Sequence, residues 1–296
     1  MRVSSALVVA AVLTAGCARK APPSATTAAR TTPVLARVSN RPGNLHGGVF
    51  VIEYHKIAAQ EARWDRSIAR FRGDLERLYK MGFRPITIGQ FIAGKMPLAA
   101  GASPVAITFD DAHPSQFQIL PDGSVDPECA VGVWQAFATH HPDFPVRATF
   151  FVLPNLWGQR SLVSNKVALL RSWGCELGNH TMTHRRLDRL SDDEVKAEIG
   201  GGAQILARLG TGIAPLALPY GMSPRDKSLL RGFQWKGGKV EIPAVVLVGA
   251  GPSRPAGDPA FDRTRIPRIQ GIEGENGITD WLDQVEAGKV KPYVQP

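Results

Sequence analysis

The segment Ala106-Ile107-Thr108-Phe109-Asp110-Asp111 constrains the fold of this chain more than any other. Its apolar, β-branched run reads as a buried strand. The run stops at two adjacent carboxylates, so the strand delivers a pair of acids to its C-terminal edge, where open α/β sheets and barrels place their chemistry. Successive strand side chains point to opposite faces, which suits the two aspartates to different tasks.

The rest of the chain repeats this arrangement. Val49-Phe50-Val51-Ile52 ends in Glu53-Tyr54-His55, a second strand that carries polar groups at its end. Ile68, Phe71, Leu75 and Leu78 follow helical spacing and stop at Gly82. Strands are predicted over 84–88, 104–109, 147–153, 175–178, 244–248 and 265–269, and helices over 90–95, 130–140, 166–173, 224–231 and 278–286. Ser191 and Glu194 form a capping box that opens a helix with Val195, Ile199, Leu206 and Leu209 on one face. In that helix Gly200-Gly201-Gly202 costs about 1 kcal/mol per residue relative to Ala, which predicts a kink or break. Strands alternating with helices argue for parallel βα units, and this many of them for a barrel. The polar stretch 112–127 is a long excursion beside the acids, where loops are often functional.

Residues 1–16 read as a lipoprotein signal peptide, with Arg2 as the positive region and an apolar stretch too short to span a bilayer. Leu13-Thr14-Ala15-Gly16-Cys17 resembles a lipobox, which makes Cys17 the expected lipid-bearing residue and membrane anchor; an ordinary cleaved signal peptide is the other reading. Ala18 after the cysteine favours an outer-membrane or cell-surface lipoprotein. Residues 17–45, rich in Ala, Pro, Thr and Ser, read as a flexible tether, and 46–296 as the globular domain. Export leaves Cys129 and Cys175 as either a disulfide or two free thiols. The formal charge of +9 comes from scattered residues, with no basic run longer than Arg185-Arg186, and this argues against nucleic acid as a partner.

The strongest partner for the aspartates is His180-Thr181-Met182-Thr183-His184. Its two imidazoles reach one side of a turn, and with a carboxylate they make a facial site with open positions, suited to Zn or another divalent metal.

These segments carry a resemblance. Thr108-Phe109-Asp110-Asp111, Arg147-Ala148-Thr149-Phe150-Phe151-Val152, His180 to His184 and Leu218-Pro219-Tyr220-Gly221 resemble, in order, the motifs of the polysaccharide deacetylase family. The resemblance implies a distorted (β/α) barrel and metal-dependent removal of acetyl groups from a polysaccharide. It implies Asp111, His180 and His184 as metal ligands, Asp110 as general base on the metal-activated water, and Tyr220 holding the acyl group, with its backbone N–H at the oxyanion.

Two departures matter. Ala217-Leu218 stands where many members have an arginine, and no histidine follows His184 to serve as general acid. The subgroup that deacetylates poly-N-acetylglucosamine is more similar: its members open on a Tyr-His strand, matched by Tyr54-His55. This makes His55 the candidate acid, with a hydrogen-bonded strand-end histidine as the alternative. Arg268, in a late segment that also resembles the subgroup, is a candidate for positioning Asp110, with a surface or core-edge arginine as the alternative. His113 reads as a loop residue. Trp157, in a loop after a strand, is the candidate sugar platform. An O-acetyl esterase of the xylan type and a non-catalytic glycan-binding lipoprotein are the competing functions.

Overall fold

The computed structural model describes residues 38–249 and 251–296. The signal segment 1–16, Cys17 and most of the expected tether lie outside the described residues.

In chain order the elements are β1 (Phe50–Tyr54), β2 (Lys56–Ala58), β3 (Asp65–Ser67), α1 (Ile68–Lys80), β4 (Phe83–Ile86), α2 (Ile88–Ile92) and β5 (Ser103–Phe109). After the 112–127 excursion come α3 (Ala130–His140), β6 (Thr149–Val152), α4 (Val163–Ser172), β7 (Glu176–Asn179), α5 (Asp192–Arg208) and β8 (Leu216–Ala217). The chain finishes with β9 (Gly232–Trp235), β10 (Gly238–Glu241), β11 (Val245–Val246), β12 (Ile269–Gln270) and α6 (Ile278–Glu286).

Eight strands form one sheet in the order β11-β8-β7-β6-β5-β1-β12, with β4 beside β5. Every pairing in it is parallel. A parallel bridge from Val246 to Ile266, just ahead of β12, brings the two ends of this order together. The result is the distorted (β/α) barrel, its curled sheet wrapped by helices. All seven residues of β5 are buried, as expected of a parallel strand covered on both faces. Alternate side chains divide the core: Phe50, Ile52, Val105 and Ile107 pack in one cluster, while Val51, Ala106, Phe151 and Val246 form another. Glu53, Thr108 and Asp110 follow Val51 and Ala106 at the period of two, and so end up on the latter side.

The caps follow local chemistry. The Ser67 hydroxyl accepts from the Arg70 N–H and opens α1, and the Ser191/Glu194 capping box opens α5. The expected break in α5 does not occur: one continuous helix runs through Gly200, Gly201 and Gly202. The glycines serve close approach instead. A Cβ at Gly200 would meet the Trp235 ring at 2.5 Å, one at Gly201 the Met182 side chain at 2.3 Å, and one at Gly202 the Asn179 amide oxygen at 2.1 Å. Other expectations shift in extent. Residues 227–231 form a 3-10 turn where an α-helix was expected. The strands expected over 244–248 and 265–269 shrink to two residues each, because loops take over on either side.

The end of the expected tether is ordered against the domain. The Val38 N–H donates to the Ala100 carbonyl, and Asn44 and Val294 exchange two backbone hydrogen bonds of 2.9 Å. Val38 and Asn44, expected to belong to the tether, are therefore bonded to the domain. Cys129 and Cys175 are both free thiols.

Candidate metal and catalytic site

Register brings the polar strand ends together. Tyr54 pairs with Phe109 and Glu53 with Gln270, so His55, Asp110 and the end of β12 lie side by side. His180 follows β7, and its N–H reaches the Val152 carbonyl at the end of β6. These ends line a cavity of about 460 Å³ whose walls include Glu53, His55, Asp110, Asp111, His180 and Tyr220. Backbone strain collects here. Asp111, Ala112, Thr181, His184 and Tyr220 are five of the nine non-glycine residues with positive φ among those described. Such conformations persist only where surrounding structure enforces them.

His180 Nε2 and His184 Nε2 lie 3.4 and 3.5 Å from Asp111 Oδ1. His180 Nδ1 is 3.0 Å from the Ala217 carbonyl, a bond that requires the proton on Nδ1 and turns the lone pair of Nε2 into the cavity. Asp111 Oδ1 and His180 Nε2 are buried without a hydrogen-bond partner. Buried polar atoms are rarely left so. One carboxylate and two imidazoles, all within 4.8 Å of one another, are the donor set of a divalent cation with open coordination positions. The residues fit such an ion.

The turn carrying the histidines is clamped from α5. The Glu198 carboxylate accepts from the N–H groups of Met182 and Thr183 at 3.1 and 2.8 Å, and from the Thr183 hydroxyl. Thr181 Oγ1 accepts from the His184 N–H at 3.2 Å.

Asp110 is sealed from solvent beside this set. Arg268, equally buried, grips it with two parallel bonds of 2.8 and 2.7 Å. Arg268 also donates to Thr108 Oγ1 and to the Leu247 carbonyl. Arg268 is therefore neither a surface nor a core-edge residue. Burial alone would raise the Asp110 pKa, but the Arg268 charge and then His180 outweigh it and hold the carboxyl well below its usual range. Glu53 behaves in the opposite way. Burial pushes it up to about 7 even though Arg268 stands 3.3 Å away, and both its carboxylate oxygens lack hydrogen-bond partners. Glu53, His55 and Asp110 also fall within ligand distance of one another, but the Arg268 guanidinium already supplies the positive charge among them.

His55 lies on the far side of Glu53, with its Nε2 3.6 Å from Glu53 Oε1. Burial lowers its pKa, while Asp110 and Asp111 pull the other way. The 112–127 excursion folds back onto this pair: the buried Gln116 amide donates to the backbone carbonyls of His55 and Asp110. His113 Nδ1 accepts from the Ser115 N–H and so caps the turn at 114–116. Tyr220 has a φ of 57°, is 57% exposed, and packs its ring 4.7 Å from that of His184. As the second residue of a 3-10 turn, its N–H has no partner within that turn.

Six of the seven expected residues thus line one cavity, and the seventh, Arg268, grips Asp110 without lining it. Trp157 does neither. It is fully buried, against Phe117 and Phe150, because the excursion and α4 close over it, and it is no sugar platform. Glu53, Gln116, Glu198 and Trp64 are additional residues at or around the site. Of these Glu53 left a trace in the sequence as a polar group at the end of an apolar run, and Gln116 only through the polar stretch 112–127 that holds it.

Residues 99–231 match the family model described as polysaccharide deacetylase. No curated protein matches the chain at a significant level. Among solved structures, the Streptococcus pyogenes deacetylase PplD, in complex with acetate, is similar at 16% identity over 80% of this chain and 98% of its own, with a TM-score of 0.61. IcaB from Ammonifex degensii is similar at 20% identity over 81% and 96%, TM-score 0.54. A de-N-acetylase from Aggregatibacter actinomycetemcomitans is similar at 14% identity over 79% and 99%, TM-score 0.54. At these identities the likeness is one of fold.

Proposed function

We propose, from the match of residues 99–231 to the polysaccharide deacetylase family model, that this chain is a hydrolase of that family and removes acetyl groups from an N-acetylated envelope or extracellular glycan. The observation that carries the reading is the convergence of Asp111 Oδ1, His180 Nε2 and His184 Nε2 beside a carboxylate fixed by a buried arginine.

Asp111, His180 and His184 would hold a divalent metal, with Zn the first choice for this donor set. The chemistry supplied at such a centre is Lewis acidity, which makes water more acidic and polarises an acyl carbonyl. Asp110, kept charged and oriented by Arg268, is the base that takes the proton of the attacking water. Its Oδ2, 3.8 Å from His180 Nε2, faces the proposed metal ligands. The N–H of Tyr220 is the donor for the oxyanion in this reading, and a donor of that kind stabilises only the charge that develops during reaction. His55, entering the step protonated, gives its proton to the departing nitrogen, so that the C–N bond breaks to acetate and a free amine, and exchange with solvent then resets Asp110 and His55. The poly-N-acetylglucosamine subgroup is the substrate class this Tyr54-His55 strand supports best.

An Asp110→Asn enzyme should fold and bind Zn²⁺ like wild type, while kcat for acetate release from an N-acetylglucosamine pentamer drops by roughly 10²–10⁴-fold. A rate within about twofold of wild type removes Asp110 from the role of base. Faster release from acetylated xylan than from the pentamer by the wild-type enzyme points to an O-acetyl esterase instead.

A further inference from the structure

Trp64 has no part in the chemistry above, yet it stands at the cavity. Among the described residues, five large apolar side chains are well exposed, and two of them, Trp64 and Tyr220, line the catalytic cavity. Tyr220 adjoins His184, whereas Trp64, 39% exposed, lies with its ring centroid 4.8 Å from His55. Leaving apolar surface in water forfeits about 25 cal/mol per Å², so an indole held out here needs a reason.

The segment that carries it is braced. β2 and β3 pair in parallel, and the Lys56 N–H donates to the Trp64 carbonyl at 3.1 Å. Next to Trp64, on β3, Arg66 is buried and bonds Asp74 on α1, Glu61 in the connecting loop and Glu273 beyond β12. Glu61 in turn accepts from the Ser67 N–H at 2.8 Å. Trp64 therefore projects from a backbone pinned on both sides. The Arg63 guanidinium lies over its ring at 4.9 Å, and Lys56 and Arg63 line the same wall of the cavity.

We infer that residues 56–64 form a sugar subsite, in which the pyranose ring next to the acetylated residue packs on Trp64 while Arg63 and Lys56 donate to its ring substituents. This rests on the glycan reading above and deepens it. The C–H face of a pyranose is apolar and its rim is hydroxylated. An indole supplies a rigid apolar contact, and guanidinium and ammonium groups supply several donors each. The subsite is continuous with the reaction centre through His55. The substrate it selects is an oligomer or polymer whose neighbouring sugar is bound together with the residue being deacetylated.

The test compares the Zn²⁺-loaded wild type with Trp64→Ala and Trp64→Phe on the N-acetylglucosamine pentamer and on para-nitrophenyl acetate, which has no neighbouring sugar. The expected result is that Trp64→Ala lowers kcat/KM for the pentamer about tenfold relative to that for the ester, mainly through KM, and that Trp64→Phe recovers most of the loss. A parallel fall on both substrates, or no change on the pentamer, overturns the subsite while leaving the deacetylase reading intact. Turnover of neither substrate by wild type overturns that reading, and the subsite with it.

Discussion

At the inner wall of the cavity, Asp110, Arg268, Glu53 and His180 are almost sealed from solvent, whereas His184, Tyr220 and Trp64 at the rim face it. The inner wall is ionic and mutually dependent. Arg268 serves two carboxylates at once, and the two respond in opposite directions, Asp110 held down and Glu53 pushed up. Pairs of acids driven apart in this way are how a site keeps one carboxyl charged and another protonated near neutral pH. The rim is aromatic and its side chains are more exposed, so truncating one of them costs less fold stability. On the proposed reading, the inner wall sets protonation and geometry, and the rim meets the substrate.

The sharpest way to break this contrast is Arg268→Met, which leaves Asp110 buried without its guanidinium partner. Stranding one member of a buried ion pair costs about 3–5 kcal/mol, so urea unfolding should show a loss of that order, against about 0.5 kcal/mol or less for Tyr220→Ala at the rim. Similar losses at both positions would erase the distinction.

A smaller effect is expected from Glu53 and depends on pH. Its folded pKa, pushed up to about 7 by burial, exceeds the value of 4.5 for an unperturbed glutamate. Between these values the native state binds more protons than the unfolded chain, so this group's contribution to stability falls as pH rises. In the metal-free protein, Glu53→Gln removes that slope. Its stability relative to wild type should improve by up to about 3 kcal/mol between pH 4 and pH 8. A difference that does not change with pH would mean that Glu53 ionises as readily in the fold as outside it.

How far the site was legible follows from where each residue's partners lie in the chain. Asp110-Asp111 and the His180/His184 pair carry their context locally, as polar residues set at strand ends, and the barrel follows from the same alternation. Arg268 grips an aspartate 158 residues away; the resemblance of its segment offered that role, but its local context left an ordinary arginine equally open. Glu53, Gln116 and Glu198 likewise act on groups from other elements. Trp157 misled because its place in a loop after a strand does not reveal that α4 and the excursion cover it. The three glycines of α5 misled for a related reason. Helix propensity describes an isolated helix, whereas here Trp235, Met182 and Asn179 approach so closely that a side chain would collide.

On the proposed reading, acetate release depends on a metal held by Asp111, His180 and His184. This dependence is tested most directly by acetate release from the N-acetylglucosamine pentamer after chelation and again after adding back Zn²⁺, with metal affinity measured for wild type and Asp111→Ala. Chelation should abolish release, Zn²⁺ should restore it in wild type, and Asp111→Ala should bind the ion at least about tenfold more weakly. Undiminished release from the metal-free enzyme, or wild-type metal affinity in Asp111→Ala, would contradict the account.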